Sequence, residues 1–140
     1  MIALALSVVI ILLIKFTYLK TYSTFAMERK VIAYKDYFLN FINGLSEDAK
    51  RKVFYSIDML KTQNRVSSKF VKYIREDVYE LRAEYQGNIY RVFFIFDDGN
   101  IVVLFNAFHK KTQKTPNREI QQAISLKDEY YAEKNECYQP

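Results

Sequence analysis

A single cysteine and a single histidine stand among 140 residues, and tryptophan is missing altogether. With only Cys137, near the end of the chain, there is no disulfide framework and no cysteine-based metal site, so a reducing compartment is the simpler assumption. With only His109, any mechanism that needs two imidazoles as acid and base is excluded, and no His/Asp/Glu group has metal-ligand spacing. Three glycines cannot supply a dinucleotide fingerprint, and the chain holds no Walker-type phosphate loop, internal repeat or low-complexity tract. Any catalysis must therefore run on Lys, Arg, Tyr or carboxylates, with no cofactor and no metal expected.

What is present is apolar and aromatic. A hydrophobic content of 50% with 16% aromatic residues is ample for one packed domain. The net charge of +5 permits contact with nucleic acid or an anionic membrane without choosing between them.

The organising stretch is residues 79–114, YELRAEYQGNIYRVFFIFDDGNIVVLFNAFHKKTQK. Alternating apolar runs are separated by Gln86-Gly87-Asn88 and by Asp97-Asp98-Gly99-Asn100, the form of two successive β-hairpins. If Asp98-Gly99 is a two-residue turn, Asp97 pairs with Asn100, Arg91 with Asn106 and Phe93 with Leu104. Phe108 and Lys110 then share Arg91's face. A two-residue turn at Gln86-Gly87 or at Gly87-Asn88 adds Arg82 to that face. The other face carries Leu81, Ala83, Tyr90, Val92, Phe94 and Phe96 with Ile101, Val103, Phe105 and Ala107, an apolar surface for helices to cover.

Before this meander, residues 1–14 form an apolar run broken by Ser7 and followed by Lys15. As a helix it rises about 21 Å, short of the roughly 30 Å hydrocarbon core. Residues 1–26 admit three readings: upstream sequence before a true start at Met27, a membrane anchor extended through Leu19, or a signal peptide cleaved after Thr24 and Ala26. A domain is expected over residues 27–133 and a polar tail over 134–140.

Lys30 to Tyr34 can form a short strand, and Asp36 to Asn43 a short helix ended by Gly44. Ser46 has the chemistry of an N-cap for an amphipathic helix reaching about Thr62, with Ala49, Val53, Ile57 and Leu60 on its inner side. Asn64 to Ser68 reads as a loop, and the form of residues 69–74 stays open. A last helix follows Thr115 as N-cap and Pro116 as first position. It is expected to fray beyond Tyr131.

Chemistry concentrates where the third strand of the meander runs out. Phe108-His109-Lys110-Lys111-Thr112-Gln113-Lys114 leads into a helix N-terminus, a setting that favours phosphate. Arg82 and Arg91 reach the same end from neighbouring strands, and guanidinium groups grip phosphate oxygens in pairs. Such a cluster can cleave RNA by aligning a ribose 2′-hydroxyl with the phosphorus and stabilising the charge that develops. A lysine among cations has its neutral form favoured, which a general base requires, so Lys110 or Lys111 is a candidate. The proton for the leaving oxygen can come from the other lysine, from His109 or from a Tyr. Against this, Glu80 and Glu84 on the same face can neutralise Arg82 and Arg91. By parity His109 falls on the apolar face, and Phe108 can fill the sheet's surface as readily as stack on a base.

ELR at Glu80 to Arg82, YRVFF at Tyr90 to Phe94, the DDG turn, and FHKKTQKTP at Phe108 to Pro116 followed by EIQQA resemble the RelE/HigB superfamily of type II toxins, and nearest its phage-derived HigB-like branch. The likeness implies a small RelE-like α+β domain. In it a curved antiparallel sheet packs on N-terminal helices, with a C-terminal helix. It implies a metal-free, ribosome-dependent mRNA endonuclease in the cytoplasm, held in check by a cognate antitoxin, commonly a helix-turn-helix protein. By motif position, Arg91, Lys110 and Lys111 take the phosphate-handling and catalytic places, and Arg82 follows from ELR. Lys114, Phe108 and His109 would be RNA contacts. Glu80 departs from the pattern, because some relatives carry a catalytic lysine there, so acid and base stay unassigned. Two other classes remain: a ParE-like inhibitor that binds a topoisomerase and cleaves nothing, and an interaction protein anchored in a membrane by residues 1–20.

Overall fold

The computed structural model describes residues 2–24 and 28–139. In chain order these form α1 (Ile2–Thr24), β1 (Lys30–Ala33), α2 (Tyr37–Asn43), α3 (Glu47–Thr62), β2 (Val71–Arg75), β3 (Val78–Tyr85), β4 (Asn88–Asp97), β5 (Ile101–Lys110) and α4 (Asn117–Cys137). The α+β class expected from the sequence is observed. The five strands lie in the order β1-β5-β4-β3-β2, antiparallel except for β1, which runs parallel to β5 at one edge. The expected antiparallel sheet is thus present, with β1 added to it as a parallel edge strand.

Two-residue turns set two of the three hairpins. Gln86 and Gly87 have φ of 49° and 75°, and Tyr85 pairs with Asn88. Both turn residues are left-handed, the geometry that matches strand twist and favours glycine. Glu76 and Asp77 repeat it, with φ of 50° and 62°, and so create β2, the strand whose form the sequence left open. Lys72 and Tyr73 on β2 are exposed, which weakens the apolar alternation by which a strand is recognised.

The β4–β5 register differs from the expected one at two places. Asp97 pairs with Ile101 rather than Asn100, so the turn has one more residue than a two-residue hairpin. The register then slips again between Val92 and Phe94: Phe105 and Asn106 together face Phe93, as in a β-bulge. Between turn and bulge the faces of β5 are the reverse of those expected. Ile101, Val103 and Phe105 pack with Phe93 and Ile95 against α4, while Val102 and Leu104 join the opposite core. Beyond the bulge, parity returns to the expected one, and Arg91 pairs with Phe108 rather than Asn106.

Each face of the sheet has its own core. Helices α2 and α3 cover one with Phe38, Ile42, Val53, Ile57 and Leu60 against Leu81, Val92 and Phe94. Ser46 caps α3, accepting from Ala49 N–H at 3.3 Å. On the other face α4 lays Ala123, Ile124 and Leu126 over Phe93 and Phe105. Each fully buried Phe or Leu contributes about 1.5–3 kcal/mol.

Helix α4 is pinned along its length. Asn106 donates to the Glu119 carbonyl at 3.0 Å, and Lys134 reaches Asp97 and Asp98 at 2.8 and 2.7 Å. The second anchor explains why the helix continues to Cys137 instead of fraying beyond Tyr131. Its N-cap is Pro116, without a side-chain bond, so Thr115 is left for another partner.

The described side chains of α1 are exposed. Among the described residues no helix is long and apolar enough to cross a membrane. Ala26 and the alternative start at Met27 lie outside the described residues, as does the side chain of Thr24.

Candidate nucleic-acid interface

A groove of about 710 Å³ opens on the α4 face of the sheet, between β2, β3 and the connection from β5 to α4. It is lined by six cations, Lys69, Lys72, Arg82, Arg91, Lys110 and Lys114, and by one carboxylate, Glu80. The register explains this gathering. Arg82 pairs with Arg91 across β3 and β4, Lys72 with Glu80 across β2 and β3, and Ile89 with Lys110 across β4 and β5. Paired residues project to the same side of a sheet.

Glu80 is the hinge of the arrangement. One carboxylate oxygen takes the Arg91 guanidinium at 2.9 Å, with the two side chains 2% and 6% exposed. The other accepts from the Thr115 hydroxyl at 2.9 Å. One buried carboxylate thus ties the central arginine to the basic connection that follows β5.

The arginines are not saturated by it. The Nε atoms of Arg82 and Arg91 are both buried and lack a hydrogen-bond partner. Two such donors side by side demand an acceptor, since a buried polar group without one costs about 1–3 kcal/mol. Burial lowers the pKa of Arg91, Glu80 works against that shift and Arg82 adds to it. For Lys110, burial again comes first, followed by Arg91, and its pKa is pushed below the ordinary lysine value. Arg82 and Lys72 add to the fall while Glu80 opposes it.

Of the residues singled out from sequence, Arg82, Arg91, Lys110 and Lys114 line the groove. Lys111 is exposed on the connection after β5 and is not among the lining residues. His109 lies on the opposite face against Tyr90, ring centroids 5.1 Å apart, as its parity implied. Phe108 is on the groove side but stacks on Phe93 at 5.7 Å within the α4 core. Sequence reasoning missed Lys69, Phe70, Lys72 and Thr115. The available signal was the two-residue spacing of Phe70, Lys72 and Ile74 ahead of Glu76-Asp77, which puts all three on one face of a strand. Among the described residues no three His, Cys, Asp or Glu side chains converge as a metal set.

Comparison with known proteins adds a family. The model of the family described as phage derived protein Gp49-like (DUF891) matches residues 40–128. Among solved structures, the crystal structure of an archaeal RelE–RelB complex from Pyrococcus horikoshii OT3 contains a chain similar to this one. The identity is 17% and the TM-score 0.46, over 61% of this chain and 98% of that one. No curated protein matches the chain.

Proposed function

The chain belongs to the phage-derived Gp49-like family, a family of RelE/HigB-type toxins, and from that premise we propose that it is the toxin of a type II toxin–antitoxin pair. Its reaction on this reading is metal-free, ribosome-dependent cleavage of mRNA, which stops translation in the cytoplasm. The observation that carries the reading is the convergence of six cations, Arg82 and Arg91 among them, on a groove whose one carboxylate is Glu80. A phosphodiester supplies the negative charge that the groove lacks.

The chemistry follows from the placement. Arg82 and Arg91 hold the non-bridging oxygens and stabilise the charge that grows on them as the 2′-oxygen approaches phosphorus. Lys110, its neutral form favoured by burial and by Arg91, takes the 2′-hydroxyl proton. The new P–O2′ bond forms as the P–O5′ bond breaks, and a protonated groove lysine, Lys72 or Lys114, gives its proton to the departing 5′-oxygen. Lys111, on the same connection, draws the strand in by its charge. The partner that restrains the activity is a cognate antitoxin of the helix-turn-helix kind.

Mapping mRNA 5′ ends after induction tests this reading. New ends inside reading frames, coincident with growth arrest, are expected. Arrest without new ends would point to the topoisomerase-binding class and overturn the nuclease.

A further inference from the structure

One row of side chains crosses the groove floor. The Phe70 carbonyl accepts Arg82 N–H at 2.7 Å, and Val71 pairs with Leu81, so Phe70 stands opposite Arg82 as the next rung of the ladder. Arg82 pairs with Arg91, and Arg91 with Phe108. Two rings therefore flank two guanidinium groups on one face of the sheet. The rings are not equivalent. Phe108 is stacked on Phe93 and packed beneath α4. Phe70 is half-buried and lines the groove, with the Lys69 ammonium 5.7 Å from its centroid.

We propose that Phe70 is a nucleobase platform: the base next to the phosphate held by Arg82 and Arg91 stacks on its ring, and Lys69 follows the adjoining backbone. This rests on reading the groove as an RNA site, and it gives that site its substrate form, a single strand with an unstacked base. Opposite residues on paired strands stand about 5 Å apart at Cβ, the scale on which a nucleotide's base and phosphate are separated. An aromatic face takes any base, because every base has a π surface. Lys69 in turn supplies charge without sequence preference. Phe108, the ring that the sequence offered for this role, is already occupied by Phe93.

The test measures binding of the full 140-residue chain to a short single-stranded oligoribonucleotide and to an abasic ribose-phosphate oligomer of the same length, by fluorescence anisotropy. Phe70→Leu keeps an apolar side chain in the half-buried position. It is expected to weaken RNA binding about tenfold while leaving the abasic oligomer bound as before, and Phe70→Trp is expected to restore RNA affinity. Equal RNA affinity in wild type and Phe70→Leu, or an equal loss on both oligomers, overturns the platform while the cationic groove stands. If Arg82→Ala binds both oligomers as tightly as wild type, the groove reading itself falls and the platform with it.

Discussion

Glu80 and Arg91 are diagonal neighbours on β3 and β4, joined by an ion pair at 2.9 Å in which neither side chain is more than 6% exposed. Removing one partner leaves the other's charge buried, and such losses run to about 3–5 kcal/mol. Glu80→Ala is expected to lower the unfolding free energy by that order, read from the urea midpoint. Glu80→Gln should cost less, because its amide still reaches Thr115 and Arg91. An unchanged midpoint in Glu80→Ala would show that the pair does not hold the sheet. Arg91→Ala is consequently a poor probe of function, since its loss of stability would mask its effect on chemistry. Arg82, half-buried, is the cleaner position.

Arg82→Ala should weaken RNA binding and flatten its salt dependence. Each phosphate contact on a single strand contributes about 0.7 to the slope of log K against log salt. The variant is expected to lose about that much, as titrations at several salt concentrations would record. An unchanged slope would mean that Arg82 does not touch phosphate.

Lys110 has a pKa below the ordinary lysine value, with burial first and Arg91 next among the causes. Its protonated form is disfavoured in the folded state, so the unfolded chain binds more protons between the two pKa values, and stability rises with pH across that interval. Lys110→Met should remove this rise from the thermal midpoint. If Lys110 is the base, activity should climb with pH below the usual lysine range. Glu80→Gln, which takes away a contribution raising the Lys110 pKa, should move the climb to lower pH. A profile that Glu80→Gln does not move would exclude Lys110 as the base.

At the far end of α4, burial pushes the Asp97 carboxyl up, but bonds from Lys134 and Tyr130 more than offset it, so its pKa lies below the ordinary carboxylate value. The Tyr130 hydroxyl, chiefly through burial, is pushed up to about 12 and remains a donor at neutral pH. The stability contributed by Asp97 is present above the unfolded carboxylate pKa of roughly 3.9 and is lost as pH falls through the lower folded value. Asp97→Asn should therefore depress the thermal midpoint at neutral pH and diminish its fall in acid. An acid limb identical to wild type would place the stabilisation elsewhere.

Much of this architecture is legible in the residues, for reasons that differ from element to element. Ser46 with Ala49, Val53, Ile57 and Leu60 reads as a capped amphipathic helix because cap and period agree, and α3 is found there. Arg91, Phe108 and Lys110 share a face as expected, but only because two departures cancel: one extra residue in the β4–β5 turn and one in the bulge at Phe105 and Asn106. No glycine marks that bulge, so alternation alone could not reveal it. Strand β2 escaped because its exposed Lys72 and Tyr73 break the apolar alternation. One wall of the groove escaped with it.

Lys134 and Tyr130 owe their role to Asp97, a residue more than thirty positions away. Contacts at that separation leave no local pattern. The polar composition after Tyr131 therefore suggests an earlier end than the observed one at Cys137.

The most direct test of the account is primer extension on a defined mRNA in a reconstituted translation reaction, with the wild-type chain and with Arg82→Ala. New 5′ ends are expected within the reading frame only when the message is being translated, and few or none with Arg82→Ala folded to the same extent. Wild-type protein that leaves the translated message intact, or an Arg82→Ala protein that cuts it as well as wild type, would contradict it.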